Sequence, residues 1–122
     1  MINAVAVGVG GSLGAMLRYG VGVLFQTYFS LHPALATFTV NFLGCFLIGY
    51  IAEIDFKTAM YIKYFLIAGL LGGFTTFSAF SLDSLNLLKA AGHLKALGYV
   101  SCTVIFCLLS VYVGALTYKL LN

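Results

Sequence analysis

Four long apolar stretches organise the chain, separated by short polar segments. They cover residues 2–28, 33–52, 60–82 and 96–118, and the third is free of charge over 64–82. Arg18 is the only charge in the first stretch, the second begins at the single proline, Pro33, and neither the second nor the fourth holds a charged residue. About 20 apolar residues suffice for an α-helix to cross the hydrocarbon core of a bilayer. None of the four alternates apolar and polar positions with a period of two, and within lipid only helices and closed barrels satisfy their own backbone. The pattern predicts an all-α integral membrane protein, a single membrane domain of four transmembrane helices joined through Thr27–His32, Glu53–Lys63 and Asp83–Lys95.

Composition excludes the soluble alternative. Of the 122 residues 62% are hydrophobic and only 7% charged, against about 25% charged in soluble domains, and the mean hydropathy is +1.09. A small domain leaves too much of itself exposed to hide so much apolar surface from water. The net charge of +3 comes from six basic residues spread singly along the chain, so no basic stripe points to nucleic acid. Lysines accumulate on the cytoplasmic side of most membrane proteins. Here Lys57, Lys63 and Lys119 fall on one side and Lys89 and Lys95 on the other, a balance that leaves open both a single orientation and insertion either way up. Cys45, Cys102 and Cys107 all lie inside apolar stretches without a CxxC or Cys/His cluster, and read as small, inert packing residues. The opening MINAVAVGVGG has no basic flank of the signal-peptide kind, so the first stretch is expected to persist as a span. Gly10 and Gly14 have the spacing that lets membrane helices approach closely.

The third stretch carries the least helical sequence. Gly72-Gly73-Phe74-Thr75-Thr76-Phe77-Ser78-Ala79-Phe80-Ser81 opens with two glycines, followed by two threonines and two serines, all weak helix formers. A break between Gly72 and Thr76 is expected, and unwound backbone at membrane depth persists only where protein buries it or a cavity hydrates it. Broken helices of this kind present carbonyls and half-helix ends to ions. The bland alternative is a kinked but closed helix with its hydroxyls bonded to the preceding turn. Phe74, Phe77 and Phe80 recur every three residues, and so do Thr75, Ser78 and Ser81. Aromatic rings are positive at the edge, so phenyl edges beside hydroxyl donors suit a dehydrated anion. Either stripe alone is ordinary packing; their interleaving favours an ion site.

Further polar positions fall in the other spans. Asn41 lies mid-span with Thr37 one turn earlier, and a polar group at that depth needs a partner. It suits an anion donor and a structural bond to a neighbouring helix equally well. Tyr99 and Thr103 are one turn apart on the fourth span and would line the same path. Arg18 is placed either to attract anions into a vestibule or to snorkel to the interface. Glu53, Asp55 and Asp83 fall at segment ends, so no carboxylate is expected mid-span, where a proton-coupled transporter normally needs one. No nucleophile–base pair or metal-ligand set is visible, which argues against an enzyme.

GGFTTFSAFSLD at 72–83, GSLGAMLRYG at 11–20 and TFTVNFLGCFLIGY at 37–50 closely resemble the Fluc (CrcB) fluoride channels, over essentially the whole chain. The resemblance implies an antiparallel dual-topology homodimer with two pores, passively exporting fluoride across the cytoplasmic membrane and so relieving fluoride toxicity. Carried onto this chain, it implies that Phe77 and Phe80 are the pore phenylalanines, with the two rings of one pore drawn from different subunits. It further implies Asn41 as a pore donor, with Ser78, Ser81 and Thr37 along a polar track and Arg18 at the vestibule. Tyr99 and Thr103 match the family's polar positions on the fourth helix. Gly72 and Thr75 would give backbone carbonyls to a central structural Na⁺ at the dimer interface. Two departures stand out: Cys107 occupies a position where a further hydroxyl is expected, and Ala79 replaces a threonine often found between the two phenylalanines. Outside the resemblance, two rivals remain. A small multidrug antiporter would need a glutamate in the first span, which has none; a non-conducting subunit of a larger complex would use the same polar residues as interhelical bonds.

Overall fold

The computed structural model describes residues 1–30, 32–57 and 59–122; Leu31 and Thr58, in the first two expected connections, lie outside the described residues. Among those described the chain is all-helical. Helix α1 runs over Ile2–Thr27 and α2 over Pro33–Ala52. The third span, Met60–Ala91, is composite: α3 (Met60–Lys63), a π-helical segment π1 (Tyr64–Leu71), α4 (Gly72–Phe74) and α5 (Phe77–Ala91). Helix α6 spans His93–Leu121. All four spans are long and apolar enough to cross a membrane.

Local sequence explains the boundaries. Helix α2 starts at Pro33, whose fixed φ suits a first helical position, and the His32 Nδ1 accepts a hydrogen bond from the Ala34 N–H at 3.2 Å. The third span does not end at residue 82. It continues through Asp83 to Ala91, because Leu85, Leu87, Leu88, Lys89, Ala90 and Ala91 are strong helix formers and no proline or glycine interrupts them. The expected Asp83–Lys95 connection is therefore helical apart from Gly92. That residue joins α5 to α6 at φ 85°, a conformation that side chains other than glycine adopt only under strain.

The spans alternate in direction. Glu53, after α2, and Lys119, near the end of α6, form an ion pair at 3.4 Å, so both lie at one end of the bundle. Lys89 and Lys95 flank Gly92 at the other.

Packing follows membrane rules rather than those of a soluble core. The buried hydrophobic residues are few, Ala34, Ala36, Val40, Leu71, Phe80 and Ala96, whereas large apolar side chains are exposed along every span. Glycines make the close contacts. A Cβ at Gly10 would run into the Phe65 carbonyl, and one at Gly14 into the Leu70 carbonyl; across from them, Gly69 and Gly73 lie against Val7 and Gly11. The GxxxG spacing of α1 thus meets a second GxxxG at residues 69–73. Between α2 and α6 the same device uses Gly49 against Val111 and Gly114 against Phe46. Ser110 Oγ donates to the Phe42 carbonyl at 2.8 Å across this seam. Without a hydrophobic force between helices in lipid, such close packing carries most of the association.

Gly14→Val should destabilise the folded protein by about 3 kcal/mol, the upper end for overpacking, because the obstruction is backbone. Gly20→Ala, which meets nothing within 4 Å, should change stability by no more than about 0.5 kcal/mol. Thermal unfolding in detergent checks both; equal effects would contradict a seam closed by backbone contact.

Candidate functional site

The helical ladder of the third span opens at Thr75 and Thr76, both in extended conformation, with ψ 156° and 119°. Their main-chain groups are taken up by side chains. The Thr76 N–H donates to Asn41 Oδ1 at 2.7 Å, and Asn41 Nδ2 donates to the Thr76 carbonyl at 3.1 Å. The Asn41 amide thus stands in for a peptide unit across the gap. The Thr76 Oγ1 caps α5 by accepting from the Ala79 N–H at 3.1 Å. Thr75 closes the other side, its N–H and its Oγ1 both donating to the Leu71 carbonyl.

These substitutions leave two carbonyls without their helical donors. The Thr76 N–H would otherwise close onto Gly72, and the Ala79 N–H onto Thr75. Gly72 is exposed on the single chain, and a Cβ there would meet only the Ile67 carbonyl at 3.7 Å. The next carbonyl, Gly73, accepts from Arg18 Nε at 3.1 Å. Arg18 therefore turns inward onto the C-terminal end of α4, where the helix dipole favours a cation.

Two cavities meet at the break, and Thr76 lines both. The larger, about 560 Å³, is bordered by Arg18, Tyr19, Gln26, Thr37 and Ala79. The smaller, about 310 Å³, is bordered by Asn41, Phe77, Phe80, Thr103, Cys45 and Cys107. Phe77 and Phe80 stand with ring centroids 5.4 Å apart and planes inclined at 50°. They are environmentally opposite: Phe80 is 7% exposed and Phe77 is 77% exposed. Phe80 also lies against Tyr99, centroids 5.5 Å apart.

The hydroxyls expected to matter divide into two groups. Ser78 and Ser81 are exposed on the single chain; Ser78 Oγ pairs with Thr76 Oγ1 at 3.1 Å, and Ser81 Oγ donates to the Phe77 carbonyl at 2.9 Å. Tyr99 Oη and Thr103 Oγ1 are buried without a hydrogen-bond partner. Phe77, Phe80, Asn41 and Thr103 thus share the smaller cavity, Thr37 and Arg18 the larger, while Ser78, Ser81 and Tyr99 border neither.

Residues 5–115 match the family model described as CrcB-like protein, Camphor Resistance (CrcB). The chain belongs to this family. Among curated relatives, the fluoride-specific ion channel FluC 1 of Listeria monocytogenes serotype 4b (strain F2365) is 36% identical over 114 residues, covering 93% of this chain and 95% of that protein. The fluoride-specific ion channels FluC of Helicobacter pylori (strain J99) and Helicobacter acinonychis (strain Sheeba) are 39% and 40% identical over 110 residues. These cover 87% of this chain and 85% and 87% of theirs. With four apolar spans, the CrcB-like chain is a multi-pass membrane protein.

One residue was misplaced by sequence reasoning. Asp83 does not sit in a connection; it lies on α5, about 12 Å of helix before Ala91, with its Oδ2 buried and unpartnered. The signal was present in the spacing, since Asp83 continues the three-residue series of Phe77 and Phe80.

Interhelical side-chain hydrogen bonds in membrane proteins average only about 0.6 kcal/mol, because displaced groups find other partners. Asn41 instead satisfies two main-chain groups fixed at a break, where each orphaned group costs about 1–3 kcal/mol. Asn41→Ala should therefore destabilise the CrcB-like fold by about 2–6 kcal/mol, with the Thr76 amide losing protection in hydrogen exchange. Asn41→Asp keeps the acceptor for the Thr76 N–H and should preserve part of that protection. Wild-type protection in Asn41→Ala would show that the staple is dispensable.

Proposed function

We propose that this chain forms a passive, fluoride-selective channel as an antiparallel, dual-topology homodimer. The observation that carries the proposal is the held-open break, with Asn41 locked to Thr76 at the junction of two cavities and Phe77 and Phe80 directly after it. The names of relatives at 36–40% identity supply the anion.

The chemistry on offer is that of a dry anion path. Fluoride holds its hydration shell tightly and crosses only where other donors replace that water, as carbonyls do for cations in potassium filters. Asn41 Nδ2 keeps one N–H beyond its bond to Thr76. Tyr99 and Thr103 carry hydroxyl hydrogens free of any internal acceptor, and the edges of Phe77 and Phe80 present positive C–H groups. The Ser81 hydrogen is committed to the Phe77 carbonyl, so Ser81 serves an ion by rotating about its Cα–Cβ bond. Arg18 and Thr37 border the wider cavity, where a cationic group raises the local concentration of anions. No step needs a covalent intermediate, and the proposal is of a channel rather than an enzyme.

A second copy completes the picture. Phe77, Ser78, Ser81 and Gly72 are all uncovered on the single chain, an unusual position for two serines in lipid. The near-even lysine balance between the two ends suits insertion in both orientations. The Gly72 and Thr75 carbonyls, deprived of helical donors, suit a Na⁺, which unwound backbone carbonyls coordinate in membrane proteins. When bound, the cation would offset the negative carbonyl ends gathered at the break from both copies.

Liposomes carrying the purified protein in Na⁺ buffer should release fluoride rapidly and chloride negligibly, as read with ion-selective electrodes. Phe80→Ile should remove fluoride flux while leaving a folded dimer by size-exclusion chromatography. Proton-dependent export of an organic cation, or absence of fluoride flux from folded protein, would replace this reading with a transporter or subunit role.

A further inference from the structure

The two cysteines of the smaller cavity are brought together by the fold. Cys45 on α2 and Cys107 on α6 are far apart in the sequence, yet both border the 310 Å³ space beside Asn41 and Phe80. Both side chains face the one space between α2 and α6. The seam between these helices is fixed by backbone contact at Gly49–Val111, one helical turn further along, and at Gly114–Phe46. Both residues are half-buried, whereas Cys102 is exposed on the outer face of α6. A third group of the same cavity lacks a partner: Thr103, one turn before Cys107, is 5% exposed and its Oγ1 has no hydrogen bond. The hydroxyl is used by the route proposed for fluoride; the two thiols beside it are not.

We infer that Cys45 and Cys107 form a two-thiol binding site for a soft, thiophilic divalent d¹⁰ cation, with Thr103 Oγ1 as a weak third contact, and that occupancy obstructs the smaller cavity. Soft thiolate ligands select soft metals. No group of three or more His, Cys, Asp or Glu that could hold a metal exists among the described residues, so ions that demand four strong ligands, such as Zn²⁺, are not served. A two-coordinate ion is. The charge also decides the choice. Two thiols bind a divalent ion with release of two protons, giving a neutral dithiolate that a low-dielectric cavity tolerates. A monovalent soft ion would leave a net negative charge there, uncompensated and costly to bury. Hg²⁺ is the probe that fits both conditions.

The test uses the reduced, full-length protein in detergent, titrated with inorganic Hg²⁺ against a competing monothiol. Metal–thiolate charge-transfer absorption and the count of remaining free thiols are the readouts. The wild type and Cys102→Ser should each bind one Hg²⁺ with loss of two thiols, and should resist the monothiol. Cys45→Ser and Cys107→Ser should each bind roughly a hundredfold more weakly in competition, the loss expected when a second attachment is removed. Equal retention by wild type and either single variant, or one thiol lost per metal in Cys102→Ser, would overturn the site. Agreement between the two variants guards against misfolding of one. The binding test does not depend on conduction. Bidentate binding by a folded protein that gives no fluoride flux even before metal is added would reject the channel reading and keep the site; flux that persists in the presence of bidentately held Hg²⁺ would reject the obstruction.

Discussion

Two reciprocal hydrogen bonds between the Asn41 amide and the Thr76 main chain hold a membrane helix open, and much of the remaining structure arranges itself around that gap. In lipid an unpaired peptide group has no water to turn to, so a helix normally stays closed along its length. Here α2 brings a side-chain amide, which has the donor and acceptor of a peptide in one rigid plane. It pairs the Thr76 groups while the chain on either side changes direction. Thr76 Oγ1 then starts α5, and Arg18 covers the Gly73 carbonyl at the end of α4. The break is therefore paired on its inner side and leaves the Gly72, Phe74 and Thr75 carbonyls as its surplus.

Holding those partners in register requires helices that touch at the backbone. Long side chains between α1 and the third span would displace Arg18 from Gly73, and between α2 and α5 would separate Asn41 from Thr76. Glycine removes that spacing: Gly10, Gly14, Gly69 and Gly73 close one seam, and a Cβ on Gly44 would strike the Thr75 methyl. The interior is consequently built mostly from small and polar residues, with Val40, Leu71 and Phe80 the larger ones inside, and most bulky side chains face outward. This inversion of the soluble pattern is what a lipid solvent selects, since apolar side chains gain little by leaving it.

How much of this was legible in the sequence depends on how local each signal is. The four spans follow from uninterrupted apolar length, and the break from Gly72-Gly73 followed by Thr75-Thr76, because both are properties of adjacent residues. The end of the third span was misread for the complementary reason. Asp83, Asn86 and Lys89 look like a polar connection, but their neighbours are leucines and alanines that continue the helix to a single glycine at 92. What the sequence could not display is pairing at a distance. Asn41 was equally compatible with an ion donor and an interhelical bond until Thr76 appeared 35 residues away. Cys45 and Cys107 read as inert packing until α2 and α6 brought them to the wall of one cavity.

The contrast between Phe77 and Phe80 points one step beyond the single chain. The two rings are neighbours, yet one is buried and the other stands almost wholly free. An exposed phenylalanine alone would be unremarkable against lipid. Its companions are not: Ser78, Ser81 and Gly72 are uncovered as well, and each carries a polar group that hydrocarbon solvates poorly unless it is hydrogen-bonded. Gly72 adds a second constraint. Nothing within the chain comes close to it, unlike Gly10, Gly14 or Gly44, so its backbone stands open to approach from outside. A second copy of the same break, meeting the first across this side, would satisfy both conditions together: it would cover the serines and bring another backbone close to Gly72.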